Sequence, residues 1–267
     1  MKNIKAYHFR IGISLAVFLL LGVLCVRFFG FSPTEIGSGR PLSSPSISHL
    51  FGTDHLGRDV LARVGAGAIT TLSIALGTVS IGAVFGLILG TIAAYFEGLF
   101  DEILMAVSDL LTAFPSILFA LLVISLTGPG TAALIWVLGV LFIPSFARVV
   151  RTEVRRVKNV DYIRRAHLMG ASTTRILIRH IFPNTLPVFL SAVVIGFNNA
   201  VLAEASMSFL GLGVLPPRVS LGRMLSESQG YLLTAPWIAI CTGITISLFI
   251  FAFSMLSDGL RQKQEGE

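Results

Sequence analysis

The chain has 267 residues, of which 54% are apolar and only 13% charged, and its net charge is +6. Its mean hydropathy is +0.84. Soluble domains carry about 25% charged residues, so this composition excludes an ordinary water-soluble fold. The basic charge does not mark a nucleic-acid binder either, because it is gathered at particular ends of apolar runs.

Six apolar runs follow one another at residues 11–29, 69–96, 103–126, 131–146, 186–210 and 237–256. A helix needs ~20 apolar residues to cross ~30 Å of hydrocarbon. The fourth run is short and has to borrow Val149 and Val150. The runs are continuous and do not alternate apolar with polar, which indicates helices and not barrel strands. The expected fold is all-α: a polytopic membrane protein with six transmembrane helices. Its expected division is a first span with its loop, residues 1–68, and a five-helix core, residues 69–267, that carries a large loop at 151–185.

The first run follows a basic start (Lys2, Lys5, Arg10), as a signal peptide would. It ends in LCVRFFG without a small-x-small cleavage site, and Leu24 precedes Cys25 where a lipoprotein signal wants a small residue. It therefore reads as a span. Nine of the 20 Lys and Arg lie between Arg148 and Arg179, and Arg261 and Lys263 follow the last run. With six spans these clusters and the basic start share one side, which is the positive-inside pattern. Both termini are then cytoplasmic, and the loops 32–68 and 211–236 lie outside.

Residues 32–48 are rich in Ser, Pro and Gly and read as irregular loop. In LFGTDHLGRDVLARV, Asp54 is placed to cap a short interfacial helix with Leu56, Val60, Leu61 and Val64 on one side. Asp54, Arg58 and Asp59 fit either a local salt-bridged cap or a contact with an external partner. The second run carries Gly77, Gly82, Gly86 and Gly90. The last three recur every four residues, so they share a face that lets another helix approach closely.

Pro115, Pro144 and Pro187 lie within or at the edges of runs, where each can bend a helix. Two acids, Asp109 and Glu204, sit inside apolar segments. An ionised acid at mid-membrane costs about 2.5–3.5 kcal/mol on insertion scales, so each needs a partner or water. Two readings stand for both: a residue lining a wet translocation path, or a hydrogen bonder to a neighbouring helix. Cys25 and Cys241 sit inside runs and read as small apolar core residues, and the five His show no paired metal-ligand spacing. No G-x-x-x-x-G-K-[ST] occurs and no Ser-His-Asp or Cys-His arrangement stands out, so an enzyme reading has no chemistry to rest on.

The loop DYIRRAHLMGASTTRILIRHIFPN, residues 161–184, is basic and amphipathic. Val150, Val154 and Val157 recur at helical spacing, so the fourth span continues beyond the membrane as an amphipathic helix. Asp161 suits the N-terminal end of a second, short helix. Gly170 permits a sharp turn. Ser172 or Thr173 can cap a third helix, carrying Ile176, Leu177, Ile181 and Phe182 until Pro183. Anionic lipid heads could bind such a knob by charge alone. The glycine pivot and the small residues point instead to a protein socket.

This loop resembles the cytoplasmic "EAA" loop of ABC importer permeases. Asp161 stands where Glu is usual, Ala166 and Gly170 match, Arg165 replaces the first Ala, and His167 stands where Arg is common. FGTDHLGRDVLARV, DLLTAFPSILFALLV, PSFARVVR, LAEASMSFLGLGV and LSDGLR are similar to the second permease of the dipeptide, oligopeptide and nickel importers. SLGRML stands where a Trp-Gly pair is usual, and Ser257 replaces a common Gly.

The resemblance implies a permease of the bacterial inner membrane that pairs with a second homologous permease as a heterodimer. Two cytoplasmic ATPases, which hold the ATP and Mg, bind below, and an extracytoplasmic binding protein delivers substrate. The chain itself would hold no cofactor. The resemblance assigns ATPase coupling to Asp161, Tyr162, Arg165, Ala166, His167, Gly170, Ala171 and Ser172. The expected cargo is a di- or oligopeptide, with nickel or a metal chelate as the alternative. A self-contained secondary transporter should show inverted repeats and several embedded charges, and the sequence shows no clear repeat and only two embedded acids.

Overall fold

The computed structural model describes residues 2–28 and 32–264. Helix α1 is Lys2–Phe28, α2 Val60–Phe96, α3 Leu99–Ala113, α4 Ser116–Thr127 and α5 Thr131–Lys158. Then come α6 (Asp161–Leu168), α7 (Thr173–Ile176), a π-helical turn (Leu177–Ile181), α8 (Phe182–Phe209), α9 (Leu221–Ser228) and α10 (Pro236–Gln264). Among the described residues there is no strand, only an isolated bridge between Thr53 and Asp59.

Four helical rods are long and apolar enough to cross a membrane: Val60–Phe96, Thr131–Lys158, Thr173–Phe209 and Pro236–Arg261. The third expected span is broken. α3 and α4 together pass the same test but meet at an 86° bend. Pro115 is the cause, because its ring drives the preceding residue out of the helical region, and Phe114 is extended at φ −92°, ψ 141°. The first expected span falls in α1, whose apolar part Arg10–Val26 is shorter than the others. Phe18, Leu76, Leu110 and Leu118 point outward from their helices and are more than half exposed. An outer surface of that kind suits hydrocarbon, not water.

The centre is the α2–α5 pair, and glycines bring it together. A Cβ on Gly82 would lie 2.7 Å from the Cβ of Phe142, and one on Gly86 2.5 Å from the Cβ of Phe146. One on Gly90 would lie 2.5 Å from the carbonyl oxygen of Ala147. The stripe read from the sequence is therefore the seat of α5, and Phe146 fills the gap between α2, α5 and α8, with Gly196 of α8 also against its ring. α1 lies along α10, where Gly12 meets the backbone of Leu256 and Met255. Cys25 is on the surface of α1, not in the core as expected, because α1 turns most of its apolar side chains outward.

The segment before α2 corrects one expectation. Asp54 caps no helix. It sits in a turn, accepting from the N–H groups of Leu56 (2.8 Å) and Arg58 (3.0 Å) and from Arg58 Nε (2.7 Å). The cap is Asp59, which accepts from the Ala62 N–H at 2.8 Å, and α2 then runs without interruption through residues 68 and 69. An aspartate two residues before the first apolar periodicity loses the cap to one that adjoins it. The other oxygen of Asp59 meets His49 Nδ1 at 2.8 Å. Replacing Asp59 with Ala should cost about 1 kcal/mol for the cap alone, seen as a lower thermal midpoint of the purified chain in detergent.

Candidate functional site

Two features stand out, and one helix joins them. The first is a cleft of about 530 Å³ between the α3–α4 break, α5 and α8. Its wall is mostly apolar, with Thr112, Ser116, Ser145, Asn199 and Ser206 as the polar groups. The proline break opens it: α4 turns away from the line of α3, so Thr112, Ser116 and Ile117 face the space instead of a continuous helix filling it. None of these polar residues was singled out from the sequence. A signal was present in α8, where Asn199, Ala203 and Ser206 are spaced i, i+4 and i+7 on one face.

The second feature is a knob made by α6, α7 and the π-turn. Ile163, Ile176 and Ile181 are buried in one apolar cluster with Val150, Val154 and Val157 of α5. The same cluster contains Phe146, which lines the cleft. From Ser145 to Val157 a helix rises about 18 Å, so α5 links the cleft wall to the root of the knob.

The local geometry follows the sequence closely. Ser172 caps α7 by accepting from the Arg175 N–H at 3.4 Å. The Met169 N–H donates to the Arg165 carbonyl (3.0 Å) and the Ala171 N–H to the Ala166 carbonyl (3.1 Å). This is a helix end closed through a left-handed residue, Gly170 at φ +81°. Ala171 packs at the edge of the buried cluster. Tyr162 is 44% exposed, accepts from Asn184 Nδ2 at 3.2 Å and meets the His180 ring edge-on. Asp161 opens α6, and Asp161 and Arg165 are exposed. The His167 side chain lies outside the described residues. Leu168 and Met169, at the tip, are 88% and 84% exposed. Sequence reasoning did not single them out, because two apolar residues in an apolar chain carry no contrast.

One detail departs from expectation. The helix after Ser172 does not stop at Pro183. A π-turn passes directly into α8, so the rod Thr173–Phe209 runs on through Pro183 just after the junction. Arg side chains tie the neighbouring elements to the knob's base. Asp101 of α3 is gripped by Arg151 and Arg155 of α5, and Arg156 pairs with Glu153. Lys158 Nζ donates to the Tyr95 carbonyl (2.8 Å), and Tyr95 Oη donates to Thr173 Oγ1 (3.2 Å).

The two acids part company. Asp109 is exposed on α3 and accepts from Arg148 Nη2 at 2.8 Å, and the same nitrogen donates to Thr112 Oγ1 of the cleft wall. Glu204 is wholly buried and is not among the residues lining the cleft. Its Oε1 accepts from Ser208 Oγ at 2.6 Å, with the Thr71 and Ser220 hydroxyls facing the group. Oε2 has no partner in good hydrogen-bond geometry. Glu204→Gln keeps an acceptor for Ser208 and should leave uptake near that of the native chain. Glu204→Leu should lower stability by about 1–3 kcal/mol, the cost of leaving buried polar groups unpaired. Thermal unfolding in detergent, beside an uptake assay, checks both.

Residues 82–265 match the family described as binding-protein-dependent transport system inner membrane component. Over 261 residues the chain is 39% identical to a putative peptide transport system permease protein of Brucella suis biovar 1, covering 97% of this chain and 88% of that one. It is 33% identical to a dipeptide transport system permease protein of Alkalihalophilus pseudofirmus (93% and 82% covered). It is 40% identical to a glutathione transport system permease protein of Escherichia coli O6:K15:H31 (82% and 72% covered). Its fold is similar to that of the MetNI methionine ABC transporter in an inward-facing conformation, with a TM-score of 0.62 at 20% identity over 75% of this chain and 95% of that one. The chain belongs to the family of binding-protein-dependent transport system inner membrane components, the permease subunits of ABC importers.

Proposed function

We propose that this chain forms half of the translocation path of an ATP-driven importer of dipeptides or short oligopeptides. The observation that carries the reading is the single apolar cluster from Phe146 at the cleft to Ile163 in the knob. A push on α6 reaches the cleft wall through packed side chains, without a flexible joint between them. The neutral hydroxyl and amide groups of Ser145, Asn199 and Ser206 suit the amide bonds of a peptide. The relatives' names, which specify peptide, dipeptide and glutathione transport, support the same substrate class.

In this reading the knob faces the cytoplasm, as do both termini, and α9 with the loop before α2 faces outward. Asp161, Tyr162, Arg165, Ala166, His167, Gly170, Ala171 and Ser172 form the part that docks on an ATPase, with Leu168 and Met169 at the tip. ATP and Mg belong to two ATPase partners, and this chain does no hydrolysis. A second homologous permease supplies the other half of the path, and a binding protein supplies substrate from outside. Asp109 holds Arg148 beside Thr112 of the cleft wall, and Glu204 is a buried hydrogen bonder that does not line the cleft.

The test is co-reconstitution of both permeases, the ATPases and the binding protein in liposomes with a labelled dipeptide. Uptake should require ATP and the binding protein together. Uptake of nickel in place of dipeptide, or dipeptide uptake without ATP, would contradict the reading.

A further inference from the structure

At the end of the bundle opposite the knob, one guanidinium joins three segments. Arg63 lies in the first turn of α2 and is 5% exposed. Its Nη2 donates to Glu227 Oε2 of α9 at 2.6 Å, and its Nη1 lies 3.4 Å from Asp54 Oδ2 in the turn before α2. The other oxygen of Glu227 accepts from Arg223 Nε at 2.9 Å, and Arg223 Nη1 donates to the Val214 carbonyl at 3.0 Å. The Val214 N–H donates to Ser208 Oγ at 3.2 Å, and Ser208 Oγ donates to Glu204 Oε1. The contacts thus run unbroken from Asp54 to Glu204. Ala203, Ser206 and Met207, from the same two turns of α8, line the cleft.

This arrangement is a poor way to gain stability, because desolvation of a buried ion pair offsets much of its attraction. It does fix a geometry. The donors of a guanidinium form a rigid fork, so Arg63 satisfies Asp54 and Glu227 together at one spacing of loop, α2 and α9. The segment is also seated by packing, with Gly222 of α9 against the Ala205 backbone of α8 and the Leu221 N–H on Thr71 Oγ1 of α2, so Arg63 sets its charge-bonded edge and not its whole position.

We propose that Arg63 is a positioning residue for transport, locking α9 and the loop before it (residues 211–228) to the head of α2 so that this segment and the end wall of the cleft move as one body. The inference rests on the importer reading, with this end facing outward. Glu227, Arg223 and Val214 tie the 211–228 segment to α8, and Arg63 ties that segment in turn to α2 and to the turn before it. Without Arg63 the α8 side of the segment keeps its contacts but loses its fixed spacing to the head of α2.

The test uses the complete reconstituted transporter, with Arg63→Met, Arg63→Lys, Glu227→Gln and the double variant Arg63→Met with Glu227→Gln. Three quantities are read: the amount of chain in the membrane, basal ATP hydrolysis, and hydrolysis stimulated by dipeptide-loaded binding protein. Arg63→Met should lose roughly tenfold of the stimulation, with chain amount and basal hydrolysis near native. Arg63→Lys should recover part of it. Glu227→Gln should resemble Arg63→Met, and the double variant should be no worse than either single one, as expected for two residues acting through one contact. Undiminished stimulation in Arg63→Met would overturn the proposal, and so would a loss that tracks disappearance of the chain from the membrane. A native complex that takes up no dipeptide would instead count against the importer reading, before any variant is compared.

Discussion

Replacing Gly170 with Val should cut uptake roughly tenfold while the chain still folds and inserts. The reason is conformational. Gly170 holds φ +81° at the end of α6, and a Cβ there would meet nothing within 4 Å. No clash arises, so the whole effect lies in the backbone. A β-branched residue in that region costs about 1–3 kcal/mol, and the cheaper course is for the turn to change. The Ala171 N–H to Ala166 carbonyl bond then breaks, and α6 loses its fixed angle to α7. Ile163 and Ile176 still anchor each helix, which is why folding should survive. Stimulated ATP hydrolysis and uptake should separate in this variant. Gly170→Asn should retain most of the activity, because Asn tolerates the left-handed conformation. The paired measurement of hydrolysis and uptake checks both variants.

Replacing Gly86 with Leu should have the larger structural effect and leave little folded protein. The new Cβ would lie 2.5 Å from the Cβ of Phe146, 3.0 Å from the Ala147 nitrogen and 3.1 Å from the Ile143 carbonyl oxygen. Two of these three atoms are backbone, so no rotamer change relieves the contact. α5 would have to move away from α2, and the cluster that links the cleft to the knob would come apart. Overpacking typically costs about 1–3 kcal/mol, and a whole isobutyl group between two backbones belongs at or above the top of that range. Gly243→Leu on α10, where a Cβ meets open space, should leave the purified chain unchanged. Yield and thermal midpoint in detergent compare the two.

The long-range order of the fold was legible because hydropathy is a strong signal over twenty residues and weak over five. The glycine stripe facing α5 and the buried face of Val150, Val154 and Val157 rest on periodicities the structure keeps, and the Ser172 cap on a residue type that suits a helix start. The departures occur where two local preferences compete. Asp54 and Asp59 could both cap a helix, and the backbone turn around Asp54 decided for Asp59. Pro115 could bend or break its span, and the extended conformation forced on Phe114 broke it. The cleft was illegible for another reason. Thr112, Ser145 and Asn199 come from three helices far apart in sequence, and only packing brings them to one space. Glu204 was read as an embedded acid in need of a partner. Its hydroxyl partners, including Ser208 one turn on, place it behind the wall of the cleft.

The central claim is that the knob tip seats on an ATPase. A photo-crosslinking reagent attached at Met169→Cys, with Cys25 and Cys241 replaced by Ser, tests it in membranes that contain the whole complex. The account predicts an adduct between this chain and an ATPase subunit, changing in yield when ATP is added. Adducts with lipid alone, from a complex that still transports, would contradict it.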